Sequence, residues 1–354
     1  MRYSTNYDIG ERKRGRGINE DSVALTVFEE GHREGYREGT RDDGRPTNRS
    51  AAAFVLADGA GGHDAGDAAS YIATTSVAER LAPVAIRAAR RHPDQFDVDV
   101  DRSVLPDARG EEGIQAAVED AIVEAHRDVI RYAAAAGTQS YTTVVAGVYA
   151  DGALHYGWVG DSRAYVVNEA RETIDRLTRD HSVVQDRADG GELDAVAAHV
   201  HPDGNQITRA LGGSGYEDPA EASVEVDTRS VRLYAEDTLV VTSDGLVDAQ
   251  TDAPDLYDEY VASGRSAAVA ERVREAVVTD AEIRDVALEA TTLDAAAREY
   301  VSLANDRGGK DNVSVLLFED PVLPATPESG GLPVRAVDSD LDVRDRDTVV
   351  VTDN

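Results

Sequence analysis

Apolar and polar positions change period several times along the chain, and each change predicts an element. Residues 2–9 and 22–28 alternate or run apolar and are expected as strands, as is the buried run "AAAFVLA" at 51–57. Between them "EEGHREGYREGTRDDGRPTNRS" (29–50) is polar and Gly-rich, and reads as a long exposed loop. Residues 66–91 are Ala-rich with apolar residues at helical spacing, and Pro83 is expected to kink or divide that helix. Residues 92–112 read as a second long loop. Over 113–136, Ile114, Val118, Ile122, Ala125, Val129 and Tyr132 recur at three- and four-residue steps, which predicts an amphipathic helix. The period then shortens, and 141–178 reads as a meander of strands with Asp151-Gly152 as a hairpin turn. Short helical segments are expected at 182–189 and 206–211, a buried strand within 237–248, more helix within 265–305, and a last strand over 310–320. Strands in groups and helices in groups favour an α+β layered fold over a doubly wound one. The expected organisation is one domain over 1–320 and an acidic, disordered tail over 321–354, in which the apolar "DTVVVTD" (347–353) has no evident place.

The stretch "FVLADGAGGHDAGDAAS" (54–70) breaks this pattern most sharply, because an apolar run stops on Asp58 and enters a glycine-rich backbone. It is not a dinucleotide loop: Gly59-Ala60-Gly61 is followed by Gly62, His63 and Asp64, so the third glycine of GxGxxG is missing. A P-loop is excluded too, since the single Gly-Lys pair, Gly309-Lys310, is followed by Asp311. Two readings remain open on these residues alone. One is a strand-to-helix turn with Asp58 as its cap. The other is a cation site, where a strand-end carboxylate and freely bending carbonyls face a hard metal.

Composition narrows the classes. Without cysteine there are no disulfides, thiolate metal sites or Cys nucleophiles. No run approaches a membrane span and "MRYSTNYDIGERKRG" has no apolar leader, so a cytoplasmic protein with no membrane partner is expected. Acidic residues number 68 against 36 basic ones, a net charge of −32, and the only lysines are Lys13 and Lys310. The acids are dispersed, not gathered in one block, which fits a high-salt cytosol where counterions screen self-repulsion. Charge of this sign also argues against a nucleic-acid partner.

Several carboxylates share one grammar, an acid where an apolar strand meets a loop: Asp58 in "FVLAD", Asp161 in "GWVGD", Asp244 in "LVVTSD" and Asp311 in "GGKD". Glu20 and Asp21 in "INEDS" precede the strand at 22. One such acid is ordinarily a turn or cap residue. Four or five that converged would need cations, because desolvating unpaired carboxylates is costly. Oxygen-only donors favour Mg²⁺ or Mn²⁺ over zinc.

Eight blocks in order, "RGINED" (16–21), "ADGAGGHDAGDAAS" (57–70), "SYTTVV" (140–145), "GWVGDSRAY" (157–165), "LTRDHS" (177–182), "HPDGNQITRALGG" (201–213), "DTLVVTSDGLVD" (237–248) and "GGKDNVSVLL" (308–317), carry a resemblance. The chain resembles the metal-dependent type 2C protein serine/threonine phosphatases, the PPM family, of bacterial and archaeal type. The resemblance implies a four-layer α-β-β-α sandwich, with two antiparallel sheets flanked by helices. It implies two Mn²⁺ or Mg²⁺ ions per site, with a third, weaker one as an option. Asp58 matches the bridging ligand, Gly59 the carbonyl ligand, and Asp244 and Asp311 the other direct ligands. Asp161 matches the ligand of the third ion. Glu20 and Asp21 would act through water, and Arg16 would bind the phosphate as a fork of donors. The implied reaction is hydrolysis of phosphoserine and phosphothreonine on proteins by a hydroxide that two metals activate, with Arg16 and Asp58 as catalytic residues.

This chain departs from the pattern in places. Ala60 follows the Asp-Gly pair where the eukaryotic branch has a histidine; His63 nearby is the candidate general acid. The segment "ERKRG" is longer than usual. His181 in "RDHS" reads as structural, at the start of the family's variable flap. Expected partners are phosphorylated proteins and a cognate serine/threonine kinase, in a signalling role, with the enzyme a monomer. The alternative is a pseudophosphatase that binds phosphoproteins or a kinase without turnover; a stress-response phosphatase acting on anti-sigma-antagonist-like proteins is a third reading.

Overall fold

Alternation along one strand sets the layers. In β3 (Ala51–Ala60), Ala51, Ala53, Val55 and Ala57 face one core, while Ala52, Phe54 and Leu56 face another. A strand covered on both faces reads as an unbroken apolar run, which is what "AAAFVLA" is. The computed structural model describes residues 1–15, 17–28, 50–60, 65–88, 110–214, 218–328, 335–337 and 350–351. Both loops expected from composition, at 29–50 and 92–112, fall almost wholly outside these residues.

Around β3 lie β1 (Arg2–Asp8), β2 (Asp21–Phe28), β4 (Gln139–Thr142), β5 (Val144–Ala150), β6 (Ala153–Val159), β7 (Arg163–Asn168) and β8 (Thr173–Arg176). Later strands are β9 (Gln206–Ile207), β10 (Leu211–Ser214), β11 (Asp227–Arg232), β12 (Asp237–Thr242), β13 (Val313–Glu319) and β14 (Val350–Val351). One sheet runs β1-β13-β12-β7-β8; the other runs β10-β4-β3-β5-β6-β11, with β2 also on β3. Every pairing is antiparallel. Helices α1 (Gly66–Ala88) and α2 (Gly110–Ala136) cover the larger sheet through Val77, Leu81, Val118 and Ile122. The inter-sheet core holds Phe54, Trp158, Val241, Leu316 and Phe318. On the far side, α7 (Asp280–Glu289) and α8 (Leu293–Asp306) cover β7, β12 and β13 through Ile283, Tyr300 and Val301. Burying each large side chain contributes about 1.5–3 kcal/mol. These are the four layers that the resemblance implies.

Asp151 and Gly152 both take positive φ, 50° and 75°, and close the expected two-residue hairpin between β5 and β6. A side module of α3 (Val183–Asp189), α4 (Ala195–His199), α5 (Ala253–Ala262) and α6 (Ala267–Ala276) packs around Leu193, Ala197, Tyr260 and Val269.

Four expectations need correction. Pro83 does not divide α1, which continues to Ala88; packing of the helix on β3 and α2 outweighs the one lost hydrogen bond. Residues 206–211 are not helical. Gly212, at φ 94°, approaches β4 so closely that a Cβ would lie 2.1 Å from the Ser140 carbonyl oxygen, and the segment pairs as strand. Strand β3 does not stop at Asp58 but carries it, with Gly59 and Ala60 pairing onward to β4. Finally, among the described residues beyond Asp320, Leu323, Thr326 and Arg335 are buried while most of the others are exposed. Leu323 joins the inter-sheet core, and Thr326 donates twice to Glu236, at 2.7 and 2.8 Å. The buried Arg335 guanidinium makes a bidentate pair with buried Asp237 at 2.9 and 2.8 Å. Within "DTVVVTD", Val350–Val351 pairs with β9.

Candidate metal centre

Strand pairing places two acids face to face: Asp21 on β2 is the direct partner of Asp58 on β3. Like charges at such positions repel, so the backbone must hold them there. It does so through "YTTVV". Thr142 Oγ1 and the Thr143 amide both donate to the Asp58 carbonyl at 2.8 Å, and the Asp58 amide donates to Thr143 Oγ1 at 3.0 Å. Thr143 Oγ1 also hydrogen-bonds Ser162 Oγ at 2.7 Å, which ties β3 to the turn bearing Asp161.

Three further contacts bring in the remaining acids. Ser243, just before Asp244, donates to Asp21 Oδ2 at 2.8 Å and accepts from the Ser314 amide at 3.0 Å. Gly245 lies so close to the "KDN" segment that a Cβ would stand 1.9 Å from the Asn312 carbonyl oxygen, which explains the glycine after Asp244. Asn312 accepts from the Glu20 amide at 2.9 Å and donates to the Ile9 and Ile18 carbonyls at 3.0 and 3.2 Å.

These groups act on one another electrostatically. Desolvation raises the Asp58 pKa well above the carboxylate range, and the charges of Asp21, Asp244, Asp311 and Asp161 raise it further. Asp244 is pushed up to about 7, by burial and then by Asp311 and Asp248. Asp21 is pushed up to about 6, by burial first, with Asp311 adding to it. Burial, Asp244, Asp180 and Asp248 raise Asp161 likewise. Among the described residues no group of three or more acidic or histidine side chains is already placed to hold a metal ion.

The donor set fits a hard divalent cation. Asp21 Oδ1 and Asp244 Oδ1 are buried with no hydrogen-bond partner. Gly59 is required by a close backbone approach, since a Cβ there would lie 2.2 Å from the Gly66 carbonyl oxygen at the start of α1. All of these donors are oxygens, as Mg²⁺ and Mn²⁺ require.

Of the residues expected from sequence, Glu20, Asp21, Asp58, Gly59, Asp161, Asp244 and Asp311 fall in this one region. Arg16 and His63 lie outside the described residues. Nearby Arg14 turns away, pairing with Asp8 at 3.0 Å and Glu11 at 2.5 Å. His181 is structural, as read: its Nδ1 accepts from the Gly160 amide at 3.0 Å, its amide donates to the Gly160 carbonyl at 3.0 Å, and Nε2 pairs with Asp227 at 2.9 Å. It thereby fixes the turn before Asp161. Sequence reasoning missed three participants. Asn312 holds Glu20, Asp248 adds charge to Asp244, and Lys13 reaches Asp311 and Glu20. For Asn312 and Asp248 the signal was their place inside the "KDN" and "SDGLVD" blocks.

Two antiparallel sheets between helix layers, with clustered carboxyls where strands end, form the architecture of a protein that handles hard divalent cations. A family model described as protein phosphatase 2C matches residues 40–286, and the chain belongs to that family. It is 29% identical over 267 residues to the serine/threonine phosphatase stp of Listeria innocua, covering 75% of this chain and 83% of that one. It is 26% identical over 265 residues to the protein phosphatase PhpP of Streptococcus pneumoniae, covering 74% and 83%. The solved serine/threonine phosphatase Stp1 of Staphylococcus aureus superposes with a TM-score of 0.59 at 23% identity, over 90% of this chain and 94% of that one. The catalytic domain of the phosphatase PstP, solved with two manganese ions, gives 0.52 at 24% identity, over 89% and 96%.

Proposed function

We propose that this chain is a protein serine/threonine phosphatase that hydrolyses phosphoserine and phosphothreonine monoesters with Mn²⁺ or Mg²⁺. Family membership and relatives named as serine/threonine and protein phosphatases support the activity. The observation that carries the reading at this chain's own residues is the pairing of Asp21 with Asp58 across β2 and β3, tied through Ser243 to the Asp244 turn and through Thr143 and Ser162 to the Asp161 turn.

In this reading Asp58, the Gly59 carbonyl, Asp244 and Asp311 hold two cations, and Asp161 serves a third. Glu20 and Asp21 act through water, and Arg16 takes the phosphate. When bound, the cations supply Lewis acidity, acidifying water and offsetting charge on the transferring phosphoryl group. The protein's part is preorganisation. Thr142 and Thr143 fix the Asp58 backbone, Ser243 orients Asp21, and Asn312 orients Glu20. Asp58, Asp244 and Asp311 are only partly buried, so a phosphorylated side chain can reach them. No helix among the described residues is long and apolar enough to cross a membrane. The net charge of −32 supports work in concentrated salt, on phosphoproteins generated by a serine/threonine kinase.

The test is phosphate release from phosphoserine and phosphothreonine peptides in high salt. Release with Mn²⁺ or Mg²⁺ that EDTA stops is expected. Metal-loaded, folded protein that releases no phosphate would defeat the proposal.

A further inference from the structure

The chain has 36 basic residues, and only Lys13 and Lys310 are lysines. Both charges act on the carboxylate cluster. Lys310 acts on Asp244 and Asp248. The Lys13 ammonium donates to Asp311 Oδ1 and stands 3.9 Å from Glu20 Oε2. The delivery of Lys13 is built into the backbone. Its amide donates to the Gly10 carbonyl at 3.1 Å, its carbonyl accepts from the Gly17 amide at 2.8 Å, and the Arg12 amide donates to Gly309 at 3.0 Å. The turn between β1 and β2 is thus fastened to the loop that bears Asp311. Its neighbour Arg14 points to Asp8 and Glu11 instead, so the turn selects one cation for the cluster.

Residue type matters here. A guanidinium is broad, planar and bidentate, and locks onto a carboxylate; an ammonium is a compact charge on a flexible stem. In a chain that uses arginine almost everywhere else, lysine stands where a cation must be able to leave. The Asp311 and Glu20 oxygens that Lys13 engages are among those read above as serving a divalent ion, and one set of lone pairs cannot serve both fully.

We propose that Lys13 is a built-in competitor for the divalent ion at Asp311 and Glu20: its ammonium holds these carboxylates until an ion displaces it, and so sets the metal affinity of the site. This rests on the reading of the cluster as a metal centre. Because linkage is reciprocal, the free energy of the Lys13 contacts is subtracted from ion binding.

The test is calorimetric titration of Mn²⁺ into the full chain, stripped with EDTA and dialysed, at one fixed salt concentration. Wild type, Lys13→Met and Lys13→Arg are compared. Lys13→Met keeps the stem and removes the charge. It is expected to bind one Mn²⁺ about tenfold more tightly, within the roughly 5- to 150-fold range of such couplings, and to unfold at lower temperature when metal-free. Lys13→Arg, which retains a cation, should not gain affinity. Unchanged or weaker Mn²⁺ binding by Lys13→Met overturns the proposal, as does a raised KM for phosphopeptide with unchanged Mn²⁺ affinity, which would put Lys13 on the substrate. If wild type itself takes up no Mn²⁺, the metal-centre reading fails instead. Should Lys13→Met not stay folded without metal, stripping Mn²⁺ from the loaded protein with a chelator of known affinity measures the same difference.

Discussion

Replacing Asn312 by alanine tests how the chain positions Glu20. The Asn312 side chain is 1% exposed and makes three hydrogen bonds, accepting from the Glu20 amide at 2.9 Å and donating to the Ile9 and Ile18 carbonyls at 3.0 and 3.2 Å. Each lost bond costs about 1 kcal/mol net, and more where the stranded partner stays dry. Ile18 is exposed and its carbonyl can be rehydrated, whereas the Glu20 amide lies beside the cluster. Together the loss should be about 2–4 kcal/mol. Released from Asn312, the 17–20 segment no longer fixes Glu20, so Mn²⁺ affinity should fall as well. Urea unfolding in EDTA and in Mn²⁺, with a Mn²⁺ titration alongside, measures both effects. Asn312→Asp keeps the size and the acceptor for Glu20 but sets a carboxylate against two carbonyls, and should do at least as much damage. The reasoning is refuted if Asn312→Ala costs less than about 0.5 kcal/mol, the ordinary surface range, and leaves Mn²⁺ affinity unchanged.

Asp161→Ala should keep the fold and two Mn²⁺ ions but lose much of its turnover on phosphopeptide; metal counting and kinetics on one sample decide it, and normal turnover would make Asp161 only a turn residue. Arg335→Ala strands buried Asp237 and should cost about 3 kcal/mol in urea unfolding; a loss under about 1 kcal/mol would mean that residues 335–337 do not dock in solution. In EDTA, Asp244 and Asp21 should add stability as pH falls from about 7 toward 4, against the opposite contribution of histidines whose pKa burial lowers. Asp244 at about 7 and Asp21 at about 6 take up protons in the folded state before unfolded carboxylates do, which relieves their repulsion. Saturating Mn²⁺ or Asp244→Asn should remove that contribution, and a wild-type stability that gains nothing relative to Asp244→Asn between pH 7 and 4 in EDTA would contradict it.

The layered fold was legible because its strands announce themselves. "AAAFVLA" is apolar throughout since both faces are covered, and Asp151-Gly152 marks its hairpin by chemistry alone. The acids at Asp58, Asp161, Asp244 and Asp311 were legible as strand-end exceptions, and the resemblance supplied their order. What could not be read depended on partners distant in sequence. Gly212 lets 211–214 pair as strand by its close approach to Ser140. Arg335 is a core residue only because Asp237 waits for it 98 positions earlier. Lys13 stands out in "ERKRG" only as a lysine; that it faces the cluster while Arg14 faces away depends on Asp311, distant in sequence. Arg16 and His63 remain expectations from sequence.

The most direct test is the rate of phosphate release from a phosphothreonine peptide by Asp58→Asn, measured beside wild type across a full Mn²⁺ titration. Asp58 is the residue on which the charges of Asp21, Asp244, Asp311 and Asp161 all act. If these carboxyls form one catalytic metal centre, wild type turns over once Mn²⁺ is present, and Asp58→Asn, folded by circular dichroism, releases no phosphate at any Mn²⁺ concentration. Recovery of wild-type turnover by Asp58→Asn at high Mn²⁺ would contradict that.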